Sequence, residues 1–377
     1  GKDLVDAFYE SPLIGTEVFT YNQSSISGLS ASYLSKIPYK RDISTWRMVQ
    51  ITGIIQLFTF KSYYTTSLFF GLWSFLGTWK LIQLFTTLYK HYYKMICIAV
   101  LFIPSCIFWS SGIIKEAITT GGIGFFVFYF YKILNKKIKI NYIINLIVCF
   151  LLIKWVKGAT IYVLFPCLGL LIFLNYYQKI TFIYKLTFSF LLVISIPLSF
   201  YIILPKLQVF IQKSEEFNSA QSTISGFQGD HGSRSKGHGG GEASTYHLST
   251  AGDLSLLGML KSFPEAISYT LFRPFPWETS KLVQLIGSFE SFAILIMTLV
   301  ILIKVGPIRN MKNTFNDPNL AFILTYSLLF GFIAGYISFN YGVLQRFKTP
   351  IMPFYIIYLI INYSKSNSKL KPFRKKR

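Results

Sequence analysis

What most constrains this chain is a succession of uncharged apolar blocks, each about as long as a bilayer is thick. The stretch LAFILTYSLLFGFIAGYISF, residues 320–339, runs without a single charge. A helix needs about 17–25 predominantly apolar residues to cross a hydrocarbon core. Comparable blocks lie near 65–88, 95–111, 113–131, 140–156, 159–177, 183–204, 283–304, 319–340 and 349–363. Residues 45–60 (TWRMVQITGIIQLFTF) are apolar but short, and suit an interfacial helix as well as a span. Only 14% of the residues are charged, against about 25% in soluble domains, so the chain could not keep a surface wetted by water. The sequence therefore predicts an all-α fold, a polytopic transmembrane helix bundle of about nine to ten spans. Because the first residue is Gly1 and the opening segment is polar, one further span is expected upstream.

The net charge of +22 comes from 37 Lys and Arg against 15 Asp and Glu. In a soluble protein that imbalance would point to nucleic acid. Here the basic residues sit in short loops between apolar blocks, where they set orientation and meet anionic headgroups. The expected partner is the lipid bilayer, and no nucleic acid is expected. The tail KSNSKLKPFRKKR (365–377), the loop with Lys304, Arg309 and Lys312, and the pairs Lys179 with Lys185 and Lys90 with Lys94 would all face the cytoplasm. That places the long segment 205–282 outside, in a multi-pass protein of the cell inner (cytoplasmic) membrane. The resulting organisation is an outer-face polar segment at 1–61, a first part of the bundle at 62–204, and the extracytoplasmic loop at 205–282. A second part of the bundle follows at 283–363, and the basic tail at 364–377. Within the loop, the Gly/Ser-rich stretch 222–245 reads as flexible, and 253–278 as interfacial helices stopped by Pro274 and Pro276.

Residues able to do chemistry are few. The four cysteines lie inside apolar blocks without CxxC spacing and read as small buried hydrophobes. His231, His238 and Asp230 match no metal-site spacing. Between residues 43 and 214 the single acid is Glu116, beside Lys115 at the outer end of a span. A carboxylate near hydrocarbon needs a partner or a task. Neighbours at i,i+1 on a helix point apart, so Glu116 is expected to aim inward and Lys115 toward headgroups. In LFRPFPWE (271–278), Arg273 and Glu278 are embedded among aromatics, with Trp277 as an interfacial anchor. The planar fork of arginine suits phosphate oxygens. Arg346 is a third outer-face cation, and the opening stretch GKDLVDAFYESPL brings Asp3, Asp6 and Glu10 to the same face. Each of these residues also has a plain structural reading, as a surface ion pair, a solvated acid or an anchor.

An acidic first outer loop, an acid two spans later and one large outer loop after the seventh span resemble the GT-C class of membrane glycosyltransferases. The stretches FIPSCIFWSSGIIKEAI and LFRPFPWE are also similar to bacterial surface-polysaccharide membrane proteins. The resemblance implies transfer of a sugar from a polyprenyl-phosphate-linked donor to an acceptor on the extracytoplasmic face. It implies Asp6, Asp3 and Glu116 as catalytic acids, with Arg273, Lys115 and Arg346 gripping the phosphate and Glu278 and Trp277 in support. An acid would either take the acceptor's proton or hold a divalent cation, Mg or Mn. An acidic pair of the DxD kind is absent near the start, where DLVD is the nearest match. The alternatives are an O-antigen-type polymerase or ligase, in which the arginines would lead, a transporter, and a non-catalytic membrane subunit.

Overall fold

The computed structural model describes residues 1–21, 28–37, 42–136, 138–179, 225–226, 229, 245–249, 256–279 and 282–370. Among them all regular structure is helical, and the chain divides into two compact units, Gly1–Tyr162 and Val163–Arg377. Among the described residues five helices are long and apolar enough to cross a membrane, and a sixth crossing is available if one bent pair counts as a single span. The expected span at 183–204, most of the loop 205–255 and the end of the basic tail lie outside the described residues.

The first unit opens with helices Lys2–Glu10 (α1), Pro12–Phe19 (α2), Gly28–Ser35 (α3) and Ile43–Phe58 (α4). The sequence reads 1–44 as a polar segment, yet these helices close around a buried core of Leu4, Ala7, Val18, Leu34, Ile37 and Trp46. The reason is amphipathicity. In α1 the apolar Leu4, Val5 and Ala7 share one face, and the charges that dominate its composition lie on the other. Ser11 caps α2 by accepting from the Leu13 amide, and Asp42 caps α4 by accepting from the Ser44 amide.

Helix Tyr63–Leu88 (α5) is the first full span. It packs on Lys115–Leu134 (α8), and the closeness of that crossing follows from three glycines. A Cβ at Gly77 would collide with the backbone of Gly121, and one at Gly124 with the backbone of Gly77. Small residues that let backbones meet are what hold helices together in lipid, where apolar burial gives no net drive. The Trp73 indole N–H donates to the Ile118 carbonyl across the same contact at 3.0 Å. Between these spans, the block expected at 95–111 is broken. Tyr93–Leu101 (α6) and Pro104–Ser110 (α7) belong to a pair bent by 54°, because Pro104 can start a helix but not continue one.

Residues Ile140–Tyr177 (α9) form two helical stretches in series, because Lys157 between them has a non-helical φ of −147° and ψ of 72°. That break falls between the spans expected at 140–156 and 159–177.

The second unit holds the end of α9, then Leu256–Phe272 (α10), Leu282–Val305 (α11), Pro307–Phe315 (α12), Pro318–Ser338 (α13), Tyr341–Phe347 (α14) and Met352–Leu370 (α15). Helix α13 packs on α10 through the GFIAG segment. Gly335 lies against the Ala266 carbonyl, and the Thr270 hydroxyl donates to the Gly331 carbonyl at 2.6 Å. Every residue from Ile351 to Asn362 is buried, so α15 is an inner helix of this unit. Its apolar part, Ile351–Tyr363, is about 20 Å long, short of a full crossing. Elsewhere apolar side chains face outward, Ile286, Phe289, Ile296 and Ile303 on α11 and Ile144, Ile147 and Leu151 on α9. Helices apolar on both faces need lipid for a solvent, and this is a membrane protein.

Candidate functional site

In the first unit two of the predicted acids, Asp6 and Glu116, are each held by a lysine. Asp3 lies half-buried in the first turn of α1, and Asp6, one turn on, pairs with Lys61. The Lys61 ammonium also sits 4.6 Å from the centre of the Tyr9 ring. Glu116 is 1% exposed, with its Oε1 at 3.4 Å from the Lys157 ammonium, at the broken turn of α9. Arg47 reaches the same stretch of α9, donating to the Trp155 carbonyl at 2.6 Å. Lys115 and Glu116 do diverge. Lys115 turns to the start of α4, donating to Ser44 Oγ at 2.6 Å and Thr45 Oγ1 at 3.0 Å, with Asp42 Oδ2 at 3.5 Å. Those three contacts match the three donors of an ammonium.

Asp42 lies outside the spanning helices. Burial pushes its carboxyl up, but hydrogen bonds from Thr45 and Ser44 and the charge of Lys115 outweigh that and hold it below the usual carboxylate range. No three His, Cys, Asp or Glu residues come together among the described residues. Asp6 and Glu116 each hold a lysine ammonium, from Lys61 and Lys157.

The second unit carries a different cluster. Helix α10 stops at Phe272 before two prolines, and a short 3₁₀ turn, Pro276–Glu278, folds Glu278 back. Both ends of the Glu278 carboxylate are engaged by the Arg273 guanidinium, the Nε contact being 3.2 Å, and Oε2 also accepts from the Phe275 amide at 2.8 Å. The guanidinium carbon lies 4.4 Å from the centre of the Tyr269 ring and 5.4 Å from that of Phe275. Burial works against the arginine's charge, and the bonds to Glu278 more than restore it. Trp277, 71% exposed, stacks on Phe275.

Against Tyr269 stand two rings that sequence reasoning missed. Tyr246 stacks on Tyr269 with centroids 4.5 Å apart and on Tyr341 at 5.2 Å. Tyr246 is fixed at both ends. Its hydroxyl donates to the Gly335 carbonyl at 2.7 Å, and its amide donates to the carbonyl of Phe339, which ends α13 with a left-handed φ of 43°. Asn340 then caps α14 by accepting from the Gly342 and Val343 amides, which sets Tyr341 at the first turn. Burial, and after it the carboxylate of Glu278, push the Tyr341 phenol well up, so it stays protonated.

The geometry therefore joins a charged guanidinium, a carboxylate, a protonated phenol and stacked aromatic faces. Such a set can hold an anion and stack on the apolar face of a ring. Arg346 lies on α14 with its guanidinium carbon 5.2 Å from the Phe347 ring centre. Near it, Lys348 is fully buried and donates to Ser291 Oγ at 2.6 Å. The only sequence signal for the tyrosine cluster was the richness in tyrosine, since positions 246, 269 and 341 are far apart along the chain. In comparisons with known proteins, no family model, no curated protein and no solved structure matches the chain.

Proposed function

We propose that the protein transfers a sugar from a polyprenyl-phosphate-linked donor, in synthesis of a cell-surface polysaccharide or glycoconjugate. The reading rests on Arg273 above all, a guanidinium poised between Glu278 and the tyrosine rings. A diphosphate or phosphate leaving group is an oxyanion that arginine binds in a fork, here by displacing the Glu278 carboxylate from the guanidinium. A sugar's C–H face stacks on aromatic rings, and its hydroxyls find Glu278 and the Tyr341 phenol. In this scheme Glu278, which is bonded to the phosphate-binding Arg273, would take the acceptor's proton.

That distribution favours the arginine-led version, in the manner of a polymerase or ligase of lipid-linked glycans. Glu116 is 1% exposed and paired with Lys157, which suits a group that holds helices together. Asp6, tied to Lys61, is of the same kind. The lipid tail would run along the apolar helix faces. Within the second unit, Lys304, Arg309, Lys312 and Lys365 gather at one end of α11, α12 and α15, and Arg273 lies at the opposite end of α11. Taken with the basic tail at 365–377, this cluster supports a cytoplasmic C-terminus and an extracytoplasmic Arg273.

The test is turnover of a polyprenyl-phosphate-linked sugar by protein in lipid nanodiscs. Arg273→Lys keeps the charge but loses the fork, and kcat/KM is expected to fall about 10- to 100-fold, the size of one or two charge-assisted hydrogen bonds. Equal turnover by wild type and variant would remove Arg273 from the proposal. A chelator that abolishes wild-type turnover would return the acids to the centre.

A further inference from the structure

At the other end of the second unit from Arg273 lies a polar cleft of about 640 Å³. The intervening helix α13 has 21 residues, about 30 Å at 1.5 Å per residue, so the cleft is separate from the tyrosine cluster. Its walls are the end of α9, with Asn175 and Gln178, the turn from α12 into α13, with Asn313, Asp317 and Asn319, and Lys365 on α15. Two links build it. Gln178 donates to the Asn316 carbonyl at 2.8 Å, tying α9 to the turn, and Lys365 pairs with Asp317 Oδ2 at 2.6 Å.

Capping of α13 needs only Asp317, whose Oδ1 accepts from the Asn319 amide at 3.1 Å. Asn175 gives one N–H to the Leu171 carbonyl at 2.9 Å, which leaves it a second N–H and its oxygen. The Asn313 side chain is half-buried and makes no hydrogen bond among the described residues. Each carboxamide offers two donors and one acceptor. A wall of them matches a ligand whose groups both donate and accept, which is the property of hydroxyls. Apart from the Lys365–Asp317 pair the described walls are uncharged amides, which favours a neutral ligand over a phosphate. The volume falls in the usual range for small-molecule sites, about 300–1,000 Å³.

We propose that this cleft binds a polyhydroxylated group, a sugar or glycerol moiety, presented either on a membrane lipid as headgroup or free in solution. The inference does not depend on the sugar-transfer reading, and its test involves no turnover.

The full chain is purified in detergent and offered monoglucosyl-diacylglycerol or phosphatidylcholine in native mass spectrometry. Neither lipid carries net charge, which removes the general attraction of a +22 protein for anions. Retention of the glucosyl lipid about tenfold above phosphatidylcholine is expected, falling to parity in Asn175→Leu/Asn313→Leu through loss of two amides. If the free sugar is the ligand, methyl α-glucoside gives saturation-transfer signals with wild type that the variant lacks. Asn313→Leu alone serves if the double variant unfolds, and should lose part of the preference. Equal retention of both lipids by wild type together with no methyl glucoside signal overturns the proposal. So does a preference that survives in variants whose thermal unfolding is unchanged.

Discussion

Replacing Glu116 by Gln removes one charge from a buried pair while keeping the side chain's shape. At 3.4 Å the Coulomb attraction to Lys157 is about 5 kcal/mol for an effective dielectric of ~20. Most of that is offset by the cost of taking both ions from water, so the pair itself is a modest stabiliser. Breaking it is different, because the survivor stays largely buried after losing its opposite charge, at about 3–5 kcal/mol. Lys157 is 19% exposed and Glu116 1%, so the lysine can turn its stem partly outward and recover hydration. We expect Glu116→Gln to destabilise the first unit by about 2–3 kcal/mol, the lower part of that range. Lys157→Met should cost at least as much, since it strands the more deeply buried carboxylate. The double variant should lie closer to wild type than the sum of the singles, with a coupling of about 1–2 kcal/mol. Reversible unfolding in mixed micelles, followed by tryptophan fluorescence, measures all three, and Trp155 sits two residues from the broken turn. Single variants that simply add, or a Glu116→Gln protein within 0.5 kcal/mol of wild type, would falsify the claim that this pair holds α8 to α9.

Gly77→Ala should destabilise the α5–α8 crossing by about 1–3 kcal/mol, as an added methyl must displace the Gly121 backbone; an unchanged unfolding midpoint in the same micelles would contradict the close approach. Asp42, held below the ordinary carboxylate value of about 3.9, contributes fully above about pH 4. That contribution is lost as pH falls through its lowered folded value. The stability gap between wild type and Asp42→Asn should therefore be constant from pH 5 to about pH 8 and shrink toward zero in stronger acid. A gap that grows on acidification would show the opposite linkage.

Span-length helices were legible wherever an apolar block had a polar stop. The blocks at 65–88 and 113–131 correspond to α5 and α8, whose bounds differ by at most three residues. The pause between 156 and 159 was legible because lysines interrupt the apolar run, and the backbone breaks at Lys157. The break at Pro104 within 95–111 was missed, although proline was there to be read. In the first 37 residues, composition hid the pattern, because charges on one face of α1 masked the apolar face that packs. Pairings were the least accessible. Lys115 with Ser44 and Asp42, Glu116 with Lys157, and Tyr246 with Tyr341 join residues 41 to 95 positions apart. No local periodicity encodes a partner at that separation, so Lys115 and Glu116 could be singled out by residue type while their neighbours could not.

The burial of Lys348 has a practical consequence for chemical footprinting. In a chain so rich in lysine, most amines will react with acylating reagents at once. Lys348, with no accessible surface and its ammonium on Ser291, is shielded until α11 and α14 part. It is a built-in clock whose modification times the opening of the second unit, read from one peptide without any engineered label.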